Sequence, residues 1–445
     1  MGAILLFMGK KRRDINEYDY DYDVDKKDYD MRGNRGPNIA VLAFVVTLLA
    51  VLSIGAIFLL IVHSAKTQKS DNIVDQTLSK WEIIPESAWP KANGSTDQTE
   101  DQKDSSQVEI NIPEEDKDYT HVIETTYGDS ITIGFAGDIL FDTNYAVGNA
   151  FSRSGNSATG VVGNSLLSRM NAVDIMLLNN EFPYSNGGAP REGKTFTFRA
   201  KPESARILND MGVDIVGLAN NHAFDYGETA LTDTFDALDS VGVEYIGAGR
   251  NIDEASHPVY YITQNGFKIA FICATQIERL LNPDTREATA TSAGVFRCLD
   301  DTALLDRIRT AKEKGAFVVV FIHWGTEGTT DIDYLQTDQA KDITAAGADL
   351  VIGAHPHVLQ KIEYVNDVPV VYSLGNYIFN SKTMDTCMMV ATIDWEKNVS
   401  LQMIPAIQSD CKVMEAFDAE KQRILGNMAA MSPGIHIDSE GNITR

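Results

Sequence analysis

From Ile131 onward, short apolar runs alternate with stretches in which Leu and Phe recur at intervals of three and four residues. The runs are "ITIGFAG", "DIMLLNN", "DIVGLAN", "KIAFICAT", "FVVVFIH", "DLVIGAH" and "VVYSLGN"; the helical stretches include "ETALTDTFDALDSVG" and "DTALLDRIRTAKEKG". Alternation of these two periods predicts an α/β fold. Near-continuous Val, Ile and Leu within the runs predicts strands covered on both faces. After residue 385, "MMVATIDWEKNVSLQMIPAIQ" alternates apolar and polar positions on both sides of "EKN", which predicts an antiparallel pair closing the sheet. The remainder to Arg445 reads as helical and then polar.

A different pattern precedes the domain. Residues Ile39 to Val62 form 24 consecutive positions without a charge, and about 20 apolar residues suffice to cross a bilayer core. The segment is apolar all round, unlike an amphipathic core helix, and is longer than the apolar region of a cleaved signal peptide. Lys10, Lys11, Arg12, Arg13, Lys26, Lys27, Arg32 and Arg35 precede it, and Lys66, Lys69 and Lys80 follow. That bias predicts a single-pass protein with a cytoplasmic N-terminus and an extracytoplasmic C-terminal domain.

The expected organisation is therefore a disordered tail over 1–36, a transmembrane helix over 37–64, a spacer over 65–128, a domain over 129–385, and strands and a helix completing it over 386–445. The tail carries the acidic, tyrosine-rich "EYDYDYDVDKKDYD", and Met8 is an alternative start. Between Asn93 and Asp118 stand nine acidic and two basic residues among Ser, Thr, Gln and Gly, a composition too poor in apolar surface to fold alone.

Charge narrows the partners. With 38 Lys and Arg against 63 Asp and Glu, the formal charge is −25, which repels phosphate backbones and argues against nucleic acid. Cys273, Cys298, Cys387 and Cys411 show no zinc-type spacing. Cys273, inside "KIAFICAT", is expected to be a buried small hydrophobe.

The residues that follow the apolar runs carry the chemistry. Asp138 follows the first, Glu181 the second, Asn221 and His222 the third, His323 ends the fifth, and His355 and His357 follow the sixth. In open α/β sheets, sites form outside the carboxyl ends of strands, so these side chains are expected to share one pocket. Carboxylate, amide and imidazole donors suit one or two divalent ions such as Mn, Zn, Fe or Mg. Two such ions about 3.5–4 Å apart clamp a phosphoryl group and activate a water.

"FAGDILFD", "NNEFPYS", "FRAKPE", "GLANNHAFDYG", "GAGRN", "FIHWGTE", "GAHPHVLQ" and "VVYSLGNYIF" together resemble the CapA family of capsule synthesis proteins. The resemblance covers residues 131 to about 380. It implies a layered, metallophosphoesterase-like β-sandwich flanked by helices, and a part in capsule or poly-γ-glutamate synthesis and export. It further implies Asp138 as a first-strand ligand, Glu181 as a bridging carboxylate, Asn221 as an amide-oxygen ligand, and His323 and His355 completing one metal site while His357 serves the other. His222 would be the proton donor, oriented by Asp225.

Two positions depart from the phosphoesterase pattern. Leu140 stands where a ligand His is usual, and Glu181 replaces an Asp; Asp142 is near enough in sequence to substitute. Arg199 and Lys201 are candidates for an anionic substrate group or a plain surface loop. Trp324 is read as a substrate wall or packing, Glu327 as a partner orienting an imidazole or a solvated residue, and Asn376 as stabilising a turn. The function expected is a metal-dependent hydrolase at the cell envelope. The alternative is a non-catalytic component that binds an anionic cell-surface polymer within a synthesis complex.

Overall fold

Each of the seven apolar runs contributes residues to a strand, and those strands divide between two sheets. The structure is a computed structural model describing residues 110–277 and 284–445. The apolar segment 39–62 and the tail before it lie outside the described residues, as does the spacer up to residue 109. Among the described residues no helix is long and apolar enough to cross a membrane.

The larger sheet has ten strands. From its middle to one edge, Ser130–Ile139, Ile175–Asn180, Ile215–Gly217 and Glu244–Ile246 run parallel in that order. Met384–Asp394 pairs antiparallel with Ser130–Ile139, and Val399–Ser409 pairs antiparallel with it in turn. The second sheet has seven strands, with Lys268–Thr275, Phe317–His323, Leu350–Ala354 and Val368–Val371 parallel at its heart.

The two sheets face each other. Phe135, Leu177 and Ile215 from the first share one apolar core with Phe271, Cys273, Val319, Phe321 and Ile352 from the second. The alternate residues of the second sheet, Ala270, Ile272, Val318, Val320 and Val351, form another core with Leu304 and Ile308 of helix Thr302–Glu313 and Ala340 and Ile343 of helix Tyr334–Ala346. A strand period of two explains why both sets are apolar. Helix Gly227–Val241 contributes Leu231, Phe235 and Leu238 to the first core. All four cysteines are buried, Cys273 between the sheets.

The expected boundary at residue 129 moves. Glu114–Tyr119 forms a 3₁₀ turn, and Thr120–Ile123 adds a parallel edge strand to the seven-stranded sheet through Val259–Thr263. Asp116, which is buried, receives two hydrogen bonds from Lys314 Nζ at 2.7 and 2.8 Å. The end of the acidic spacer therefore belongs to the fold, because its key contact is a paired carboxylate that no apolar pattern reveals.

Gly353 sits in strand Leu350–Ala354, and a β-carbon there would stand 2.1 Å from Tyr372 O and 2.4 Å from Trp324 Nε1. Those two atoms are hydrogen-bonded to each other at 2.9 Å. Gly353→Ala is expected to force them apart and destabilise the fold by about 1–3 kcal/mol, the usual cost of overpacking. A shift in the urea midpoint checks this, and an unchanged midpoint contradicts it.

Candidate metal centre

Parallel strands from both sheets end at the same edge, and the register decides which side chains meet. Asp138 pairs in register with Asn179 on one side and Asn376 on the other. His323 pairs with Ala354, which places it beside the turn holding His355 and His357. Both turn histidines have left-handed backbones, φ 100° at His355 and φ 59° at His357. Such non-glycine conformations cost of order 1–3 kcal/mol each and persist where surrounding structure enforces them.

A first group of donors converges on His323 Nε2. Asn221 Oδ1 lies 2.9 Å from it, His355 Nδ1 3.0 Å and Glu181 Oε1 3.5 Å. Two donors each about 2.0–2.2 Å from one ion and at right angles stand about 3 Å apart. The donor spacings thus match the edge of a coordination polyhedron, and the mixed nitrogen and oxygen set suits borderline divalent metals. Glu181 Oε1 is fully buried and accepts no hydrogen bond. A buried carboxylate oxygen left so is costly, and a cation there removes the cost.

A second group shares Glu181. Asp138, Glu181 and His357 bring ligand-type atoms within 4.8 Å of one another, as do Glu181, His323 and His355, and Glu327, His355 and His357. Asp138 Oδ2 is 3.0 Å from His357 Nδ1, and Asn376 Oδ1 is 2.7 Å from the same nitrogen. Asn376, read from sequence as a turn residue, therefore orients an imidazole.

Electrostatics favours ligation at His323 and His355. Burial, followed by the nearby imidazoles His355, His357 and His222 and the Lys194 ammonium, holds His323 well below the ordinary histidine pKa. Burial, then His357, His222 and Lys194, does the same to His355. Both rings are neutral at pH 7 and keep a lone pair for a metal. Burial pushes the Glu181 carboxyl well above its usual range, and the charges of Asp138 and Glu327 add to this. Burial opposes protonation of His357, but Asp138 beside it raises the pKa overall.

Next to these groups stands a proton-handling pair. His222 Nδ1 is 2.7 Å from Asp225 Oδ2, which leaves Nε2 to meet a substrate. Phe198 stacks on the His222 ring with centroids 4.1 Å apart, and its backbone N donates to Asp225 Oδ2 at 2.7 Å. Burial lowers the His222 pKa against the opposing pull of Asp225.

Four sequence candidates lie differently. Trp324 is fully buried in the core on the helix side of its sheet, stacked on Tyr372 at 5.4 Å, so its ring packs and does not line a substrate path. Lys201 projects into solvent with its side chain 65% exposed, 3.9 Å from Glu203, and belongs to the surface. Arg199 Nη1 donates to Gly187 O at 2.8 Å and its guanidinium covers the Tyr226 ring at 4.1 Å, so its hydrogen bonding serves the loop. Asp142 does not replace the missing histidine: its two oxygens accept from the backbone N of Asn144 at 2.8 Å and of Arg199 at 2.7 Å.

Two residues of the site escaped the sequence reading. Asn179 Nδ2 donates to Asp138 Oδ1 at 2.7 Å and to Glu181 Oε2 at 3.3 Å, tying both carboxylates together. Its position two before Glu181 was a usable signal, given the strand period. Lys194, with its side chain 6% exposed, reaches Asp225 Oδ1 at 2.6 Å and Asn221 O at 2.5 Å. Nothing in its loop sequence distinguishes it.

The family model for the bacterial capsule synthesis protein PGA_cap matches residues 132–381, more than half of the 445-residue chain. This chain belongs to that family. The matched segment contains both donor groups and the His222–Asp225 pair. Among relatives, the PGA biosynthesis protein CapA of Bacillus subtilis is 32% identical over 199 residues, covering 44% of this chain and 51% of that protein. The capsule biosynthesis protein CapA of Bacillus anthracis is 31% identical over 219 residues, covering 48% and 52%. A "probable polyglutamine synthesis accessory protein" of Mycobacterium tuberculosis is 24% identical over 278 residues, covering 59% and 73%. The chain spans about half the length of the two Bacillus relatives.

Proposed function

We propose that this capsule synthesis protein is anchored in the membrane through residues 39–62, carries its domain outside the cytoplasm, and is a metal-dependent hydrolase built like the metallophosphoesterases. Its substrate would be a phosphoester or another bond of a cell-surface polymer handled during capsule or poly-γ-glutamate synthesis. The observation that carries this reading is the His222–Asp225 pair standing beside Asn221, Glu181, His323 and His355, whose donor atoms already have the spacing of a coordination sphere.

Divalent ions bound there would polarise the scissile group and acidify a water. The chain's own residues do the rest. Asn179 holds Asp138 and Glu181 in place, and Asn376 fixes the His357 ring. Asp225 accepts from His222 Nδ1 and stabilises the doubly protonated ring, whose Nε2–H then delivers its proton to the leaving oxygen. Lys194 balances the Asp225 charge and ties it to the Asn221 backbone.

The test is metal content and hydrolysis of bis(p-nitrophenyl) phosphate by the full-length chain. Wild type is expected to retain metal and to hydrolyse the diester. His355→Ala should lower metal affinity by at least about 10–100-fold, the loss common even for residues one shell further out. Absence of both bound metal and hydrolysis under Mn, Zn and Fe sinks the reading. A second reading, a non-catalytic polymer-binding component, is favoured by the word "accessory" in the name of the mycobacterial relative. Metal binding and retention of poly-γ-glutamate without hydrolysis would support it.

A further inference from the structure

In "GLANNHAFDYG", Asn221 joins the first donor group and His222 pairs with Asp225, while Asn220 just before them is fully buried. Both hydrogens and the oxygen of its side-chain amide are engaged. Asn220 Nδ2 donates to Asn180 O at 3.0 Å and to Asn179 Oδ1 at 3.1 Å, and Asn220 Oδ1 accepts from His222 N at 3.1 Å.

Two of these partners fix which way round the amide sits. A backbone carbonyl only accepts and a backbone N–H only donates, so Asn180 O must face the Asn220 nitrogen and His222 N its oxygen. The same nitrogen faces Asn179, which must answer with Oδ1. That leaves Asn179 Nδ2 for the carboxylates, and it donates to Asp138 Oδ1 at 2.7 Å and to Glu181 Oε2 at 3.3 Å.

The other oxygen of each carboxylate is thereby turned to the histidines. Asp138 Oδ2 stands 3.0 Å from His357 Nδ1, and Glu181 Oε1 stands 3.5 Å from His323 Nε2 and 4.0 Å from His357 Nε2. If the Asn179 amide were turned over, its oxygen would lie against two buried carboxylates with no proton between them, an arrangement that costs free energy. The polarity of one amide thus selects the oxygens that enter the donor groups.

Building on the reading of this site as a metal centre, we propose that Asn220 is a positioning residue that sets the polarity of the Asn179 amide and, through it, the aim of Asp138 and Glu181. It also ties the turn carrying Asn221 and His222 to the end of strand Ile175–Asn180. The bond from His222 N taken alone is the ordinary turn in which an Asn, Asp, Ser or Thr side chain accepts from the backbone two residues on. The two donated bonds are what the amide adds.

Asn220→Ser separates these roles, because it keeps the turn chemistry and removes the amide donors. The measurement is Mn²⁺ titration of the metal-free full-length chain, which needs no turnover. Asn179→Ala is expected to bind Mn²⁺ about 10–100-fold more weakly than wild type, and Asn220→Ser about tenfold more weakly, within the range for residues that hold metal ligands in place. The double variant should bind no more weakly than Asn179→Ala alone, since Asn220 reaches the carboxylates through Asn179. Wild-type affinity in Asn220→Ser would overturn the proposal, as would losses that multiply in the double variant. Should the serine variant not fold, Asn220→Thr makes the same turn, fills more of the vacated volume and is read the same way. Wild type binding no Mn²⁺ would overturn the metal reading of the whole site, and this proposal with it.

Discussion

His222→Ala is expected to lower kcat of the metal-loaded chain toward a phosphodiester by about 10²–10⁴-fold, the range for loss of a positioned general acid. Metal content should not change, because the atom next door that joins the donor group is the Asn221 side-chain oxygen and not the His222 ring. The ring is held from two sides, by Asp225 Oδ2 at 2.7 Å from Nδ1 and by Phe198 stacked at 4.1 Å. Asp225 also stabilises the doubly protonated ring that the acid role requires, so Asp225→Asn should reproduce much of the loss by removing that counter-charge. The loss should also depend on the leaving group. A p-nitrophenolate departs with little protonation, whereas an alkoxide needs the proton, so a methyl ester should suffer more. Comparing the two esters is the check: equal losses on both would remove His222 from the role of acid.

Lys194→Met is expected to destabilise the fold by about 3–5 kcal/mol, the cost of removing one partner of a buried ion pair. The Lys194 side chain is 6% exposed and Asp225 is fully buried, with 2.6 Å between Nζ and Oδ1. Screening by solvent does not soften this pair as it would a surface one. Removing the ammonium leaves the carboxylate with the His222 ring and the Phe198 N–H as its neighbours, and leaves the Asn221 carbonyl without its short hydrogen bond. Urea unfolding measures the change. Combining Lys194→Met with Asp225→Asn should recover part of it, since the double variant no longer buries an unpaired charge. A loss below about 1 kcal/mol would mean that the pair behaves like an exposed one.

The strands of the site and the positions at their ends were readable from the chain alone. Apolar runs mark strands that are covered on both faces, and "FVVVFIH" and "DLVIGAH" show directly where each strand stops and a polar residue begins. In a parallel sheet that stopping point faces the crevice, so Asp138, Glu181, Asn221, His323 and His355 could be grouped before any distance was known. The alternation along a strand also bears on Trp324. Adjacent residues point to opposite faces, and with His323 turned toward the donors, its neighbour belongs to the helix-covered core.

Local sequence therefore determined which residues end the strands, the α/β character of the domain, and the chemical type of the donors. Only the tertiary structure decided which of those donors are neighbours, because contact depends on register between strands far apart in the chain: Asp138 opposite Asn179 and Asn376, His323 opposite Ala354. It decided as well the roles of residues whose loops carry no periodic signal. Lys194 is drawn inward to a buried carboxylate, Lys201 turns outward to solvent, Asp116 draws the end of the acidic spacer into the fold, and Glu327 is pinned beside the histidine turn by two backbone hydrogen bonds. A buried charged side chain goes where its counter-charge is, and for Asp225 and Asp116 the counter-charges, Lys194 and Lys314, lie 31 and 198 residues away.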